Sequence, residues 1–234
     1  MAEPLRALIF DEDGSPVETE DLHRRAFNDA FAAAGLDWHW SVPVYARLLH
    51  TTGGKERIAR HLAERGGVPA EVDIAALHRD KTRRYGALVE QGALTLRPGI
   101  RRLLSQARSV NLRLAIATTT SHPNVEALCR ACFARRAEEM FDVIVAGDDV
   151  AARKPAPDAC RLALSRLGVP PAQASAFEDS ANGLRAALAA GLRCVVTPVV
   201  YTGGEDFSGA LAVVPALDRT GGLAAFRSLV ERCG

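Results

Sequence analysis

Asp11 and Asp13 close the run Leu5-Arg6-Ala7-Leu8-Ile9-Phe10-Asp11-Glu12-Asp13-Gly14. Two carboxylates two residues apart, at the tip of an apolar segment, leave a strand end on the same side. Charge concentrated there calls for a hard divalent cation with oxygen ligands. Further along, Thr118 follows Leu114-Ala-Ile-Ala, Lys154 lies in Ala151-Ala-Arg-Lys-Pro, and Glu178-Asp179 follow Ala174-Ser-Ala-Phe. Carboxylates with one hydroxyl and one ammonium are a poor set for redox or acyl-transfer chemistry. They suit phosphoryl transfer. Mg²⁺ neutralises phosphate and carboxylates together, Lys154 adds a point charge, and Thr118 donates to a phosphoryl oxygen. A carboxylate can itself be the nucleophile, through an aspartyl-phosphate.

These groups need strands to present them. Leu5 to Phe10 is apolar apart from Arg6, which predicts a strand buried on both faces of a parallel sheet. Ligands of such sheets lie beyond the carboxyl ends of the strands. Further strands are expected at 112–117, 141–145, 174–177, 194–197 and 212–214. Helices are expected from Arg97-Pro98-Gly99 to about 109, from about 123, at 157–167 and at 182–190. This alternation predicts an α/β fold, a Rossmann-like parallel sheet with helices on both faces. Residues 17–92 show no strand signal. Helices are expected there at about 19–35, 44–50, 55–65 and 70–91, with Thr19 as the first N-cap. The expected organisation is a core of residues 1–16 and 93–234 and an inserted all-helical cap, 17–92, over the strand tips.

Composition narrows the class. The 234 residues carry a net charge of +1 and are 48% hydrophobic. That is enough for a full core and gives no electrostatic case for nucleic acid or an anionic membrane. The start lacks a signal-peptide pattern. Five cysteines without framework spacing favour a reducing, cytoplasmic setting. The expected partner is a small phosphorylated sugar, and the expected state of the protein is a monomer.

Asp-x-Asp-Gly, a strand-end Thr, Lys-Pro and Glu-Asp-Ser-x-x-Gly, in this order, resemble the four signature segments of the haloacid dehalogenase superfamily. The helical insert resembles its type I cap. Segments 18–28 and 51–60 resemble the CbbY-type sugar-bisphosphate phosphatases, which clear xylulose 1,5-bisphosphate. The resemblance implies these roles. Asp11 attacks phosphorus. Asp13 protonates the leaving sugar oxygen and then deprotonates the attacking water. Thr118 and Lys154 hold the phosphoryl group. Asp11, Asp13, Glu178 and Asp179 bind Mg²⁺, Asp13 through its carbonyl. Gly14 allows close backbone approach. Glu18, Gly53, Gly54, Lys55, Lys81, Arg84 and Thr119 are the candidate substrate contacts. Gly53-Gly54-Lys55 opens a helix whose free amides favour an anion, and Lys81 and Arg84 share a helix face. A sugar phosphomutase, a phosphoglycolate phosphatase, a phospho-aspartate receiver domain and an inactive phospho-ligand-binding protein are the alternatives. A receiver would carry its phospho-accepting Asp on a later strand and no helical insert.

Two segments depart from the family pattern, Glu12 and Ser15-Pro16. Glu12 replaces an apolar residue and should face away from the catalytic side, either as a surface charge or as a costly buried one. Ser15-Pro16 replaces Thr and an aliphatic residue. His23 is expected to pack or to bond within its helix. Trp38 and Trp40 are expected to pack the cap. Cys129 and Cys132, with only His122 near in sequence, read as core cysteines.

Overall fold

The computed structural model describes residues 3–51, 53–66 and 72–232. The chain forms two compact units, residues 1–18 with 94–234, and residues 19–93. The first holds six strands: β1 Ala7–Phe10, β2 Arg113–Ala117, β3 Val143–Val145, β4 Ala174–Glu178, β5 Arg193–Val196 and β6 Ala212–Val213. They lie in the order β3-β2-β1-β4-β5-β6, and every pair is parallel. The order runs outward in both directions from β1 and β4, so the topological switch point, where doubly wound folds bind ligands, lies between their carboxyl ends. All four residues of β1 are buried, as expected of a central strand covered on both faces.

The second unit comprises α1 Glu20–Ala33, α2 Val42–Leu49, α3 Gly54–Glu64 and α4 Ile74–Glu90. Leu22, Ala26, Phe27, Ala30 and Phe31 form the buried stripe of α1. Trp38 and Trp40 are buried and pack with Phe31, edge-on to His61. Thr19 stands at the N-cap of α1 in helical backbone geometry, without a side-chain capping bond. The expected start of the fourth helix at residue 70 lies outside the described residues. The helix begins at Ile74, where the Asp73 carboxylate accepts from Ala76 N.

Helices of the sheet unit are α5 Ile100–Ser109, α6 His122–Phe133, α7 Ala137–Met140, α8 Asp158–Leu167, α9 Ala181–Ala189 and α10 Leu223–Arg232. Alternate strand residues Ala7, Ile9, Ala115, Ala117, Ala174 and Ala176 form one core with α8 and α9. On the opposite face Phe10 stacks on Phe177, and Phe177 packs against Phe226 of α10. The one-turn helix α7 and the C-terminal helix α10 are absent from the sequence expectation. The segment expected as strand 141–145 pairs only from Val143, because Phe141 closes α7. Cys129, Cys132, Cys160 and Cys194 are free thiols, three of them buried. No helix among the described residues is long and apolar enough to cross a membrane.

Candidate active site

Asp11 extends β1 by one residue, its N–H donating to Phe177 O at 2.9 Å. Register does the rest. Phe10 pairs with Phe177, so Asp11 emerges beside Glu178 and Asp179 at the tip of β4. The loop after β3 delivers Lys154. Its Nζ donates to Asp11 Oδ1 at 2.8 Å and to Glu178 Oε1 at 2.7 Å, with the Lys154 and Glu178 side chains only 6% and 2% exposed. Carboxylate oxygens of Asp11, Glu178 and Asp179 lie within 4.8 Å of one another.

Three carboxylates face one ammonium, and the electrostatics register the imbalance. Burial pulls the Lys154 pKa down, but Asp11 and Glu178 outweigh it and hold the amine charged. Burial, then the charges of Asp11 and Glu178, lifts the Asp179 carboxyl well above its usual range. Burial raises Glu178 too, against the pull of Lys154. Glu178 Oε2 is buried without a hydrogen-bond partner. An all-oxygen donor set with excess negative charge and an orphaned buried oxygen fits Mg²⁺.

Two glycines make room for this cluster. A β-carbon on Gly183 would overlap Glu178 Oε2, and one on Gly14, which sits at φ +77°, would overlap Asp179 Oδ2. Two residues not singled out from sequence brace the segment behind it. Thr202 Oγ1 donates to Asp179 O at 2.7 Å, and Glu205 Oε2 accepts from Ala181 N at 2.6 Å. They lie in the turn-rich stretch after β5, where only contacts distant in sequence give them meaning.

Thr118 is buried at the end of β2, its N–H donating to Val145 O and its hydroxyl accepting from Thr120 N at 3.2 Å. Thr119 beside it is exposed, Asp13 is half-buried, and Glu18 closes the sheet unit's first segment, also half-buried. Glu12 is buried at 3% exposure, and its Oε2 has no partner. Burial, then Asp13 and Asp11, pushes its carboxyl well above the ordinary range. Of the two sequence readings, the costly buried one holds. Its charge also contributes, after burial, to raising the Cys129 thiol of α6.

The remaining candidates belong to the helical unit. Gly53, at φ +99°, precedes α3, a β-carbon on Gly54 would meet the His78 ring, and Lys55 is exposed. Lys81 and Arg84 part company despite their three-residue spacing. Lys81 is 7% exposed, with Nζ 2.8 Å from His23 Nδ1 and 4.8 Å from the centroid of Phe27. Arg84 pairs with Asp80 at 2.7 Å and lines a cavity of about 440 Å³ between α1 and α4, with Ala30, Leu36 and Ala76. The two side chains therefore meet different partners. An apolar, aromatic setting draws the Lys81 stem inward, while Arg84 finds a carboxylate one turn back. His23 likewise bonds across to α4 and stacks on Tyr85, rather than bonding within its own helix. Burial, then Lys81, lowers its pKa well below the usual value, so the neutral ring can accept from the ammonium.

Residues 5–191 match the family of haloacid dehalogenase-like hydrolases. Protein CbbY of Cereibacter sphaeroides is 57% identical over 220 residues, covering 94% of this chain and 96% of that protein. The crystal structure of CbbY from Rhodobacter sphaeroides in complex with phosphate superimposes with a TM-score of 0.84 at 57% identity, covering 94% of this chain and 98% of that one. A mutant of the same protein in complex with xylulose-(1,5)bisphosphate gives a TM-score of 0.84 at 56% identity, with the same coverage.

Proposed function

The chain belongs to the haloacid dehalogenase-like hydrolases, and from that premise we propose a Mg²⁺-dependent phosphatase of small sugar phosphates, with a pentulose bisphosphate such as xylulose 1,5-bisphosphate as substrate. The observation that carries the reading is the sharing of Lys154 between Asp11 and Glu178 beside the Asp11–Glu178–Asp179 cluster. The bisphosphate bound by the related CbbY structure supports the substrate class.

Asp11, Glu178 and Asp179 would hold Mg²⁺ through their side chains and Asp13 through its carbonyl. The ion supplies charge neutralisation and orientation of the phosphate. An Asp11 oxygen attacks phosphorus, the P–O bond to the sugar breaks, and Asp13 gives its proton to the departing sugar oxygen. Water then attacks the aspartyl-phosphate and loses a proton to Asp13. The P–O bond to Asp11 breaks and phosphate leaves. One residue can serve both steps because acid and base roles alternate. Lys154 and Thr118 hold the phosphoryl oxygens. For the sugar and the second phosphate the proposed contacts are Glu18, Thr119, Gly53, Gly54, Lys55, Lys81 and Arg84. A distal phosphate needs cationic and amide donors away from the metal.

The test is phosphate release from xylulose 1,5-bisphosphate, phosphoglycolate and glucose 1-phosphate, with Mg²⁺ and with EDTA. Preferred Mg²⁺-dependent release from the bisphosphate is expected. An isomeric sugar phosphate without free phosphate would make the protein a mutase. No turnover of any phosphate ester would leave a binding protein.

A further inference from the structure

Arg97 lies on the segment by which the chain re-enters the sheet unit at residue 94. Its N–H donates to Pro16 O at 2.9 Å, Leu96 bridges Val17 in antiparallel fashion, and Val17 O accepts from Gly14 N at 2.8 Å. The re-entering segment is thereby fastened to the loop that leaves β1. The guanidinium adds a second set of bonds. Nη1 donates to Gly14 O and to the carbonyl and hydroxyl of Thr197, and Nη2 to Pro198 O and Pro215 O, each of the latter two at 3.0 Å. These acceptors belong to three segments far apart in sequence: the loop after β1, the end of β5 and the chain beyond β6. Each is uncharged, and the carboxylates whose fields reach Arg97 are Asp179 and Glu18.

The Arg97 guanidinium thus serves neutral acceptors. A salt bridge would have placed a carboxylate on the fork, whereas here a rigid plane of donors gathers main-chain oxygens from three directions. An ammonium has no such fixed fan of donors. The place of Gly14 gives the arrangement its consequence. Its backbone lies so close to the Asp179 side chain that a β-carbon would overlap Oδ2. It directly follows Asp13, so any drift of the Gly14 carbonyl changes the spacing of Asp13 and Asp179.

We propose that Arg97 is a positioning residue for phosphoryl transfer, its guanidinium holding the Asp11–Gly14 turn in register with Asp179. The inference rests on the phosphatase reading above and adds a residue that touches neither phosphate nor metal. A displaced acid/base group costs turnover more than substrate affinity, because it acts on the transition state.

The experiment compares wild type, Arg97→Gln and Arg97→Lys with p-nitrophenyl phosphate at saturating Mg²⁺, alongside thermal melts. Arg97→Gln is expected to lower kcat at least ~10-fold while KM moves less than ~3-fold. Arg97→Lys, which keeps the charge but not the fork, is expected to stay at least ~10-fold below wild type even where its melting temperature recovers. A kcat within ~2-fold of wild type in Arg97→Gln overturns the proposal, as does full recovery of kcat in Arg97→Lys, which would reduce the role to a point charge. Should Arg97→Gln fail to fold, Arg97→Lys decides by the same thresholds. Wild type inactive on every phosphate ester would sink the phosphatase reading itself, an outcome distinct from an active wild type indifferent to Arg97.

Discussion

Gly183, on the first turn of α9, lies where any side chain would occupy the space of Glu178 Oε2. The inward placement of that carboxylate therefore depends on a missing methyl group on the neighbouring helix. Gly183→Ala would force Glu178 aside while leaving the helix sound, alanine being the better helix former. The expected result is a Mg²⁺ affinity ~10- to 100-fold weaker, the usual scale for disturbing a ligand's support, read by Mg²⁺ titration of activity and by calorimetry.

Asp11→Asn preserves shape and removes the proposed nucleophile. Turnover of sugar and aryl phosphates should fall at least ~10³-fold. Intact-mass measurement during turnover should find no added phosphoryl group on the variant. Parental activity in this variant would end the covalent mechanism.

Lys154 bonds to both Asp11 and Glu178. Lys154→Met would strand buried carboxylates and cost on the order of 3–5 kcal/mol without Mg²⁺. Mg²⁺ should recover part of that loss. In the wild type, saturating Mg²⁺ should raise the melting temperature and EDTA should remove the gain. Melting curves with and without the ion test both statements.

Glu12 gives a pH signature. Its folded pKa is raised above the usual 4.5 by burial, then by Asp13 and Asp11. The folded state therefore binds a proton that the unfolded chain releases. This contribution to stability is complete below about pH 4.5 and is lost as pH climbs toward the folded value. Glu12→Gln, which cannot ionise, should match wild type in stability near pH 4 and exceed it at pH 8. Denaturant melts at the two pH values check the sign, and an equal difference at both would refute it.

Lys55 is proposed to meet the second phosphate. Lys55→Ala should raise KM for xylulose 1,5-bisphosphate roughly 10-fold, the loss of one charge-assisted contact. It should leave p-nitrophenyl phosphate, which has no second phosphate, unchanged. Equal effects on both substrates would remove Lys55 from that role.

Local features are legible in the order of residues alone. An apolar run ending in Asp11 and Asp13, and its echoes before Thr118 and Glu178, predicted parallel strands with polar tips, because side-chain burial writes a pattern that short-range periodicity can read. The ordered motifs predicted the family. How distant pieces meet emerges from the folded chain. It chose the buried reading of Glu12, turned Lys81 toward His23 and Phe27 while Arg84 took Asp80, and assigned Thr202, Glu205 and Arg97 their partners. Those outcomes depend on contacts between segments separated by as many as 118 residues. Their energetics are set by shape and desolvation at the meeting point, which no local spacing records.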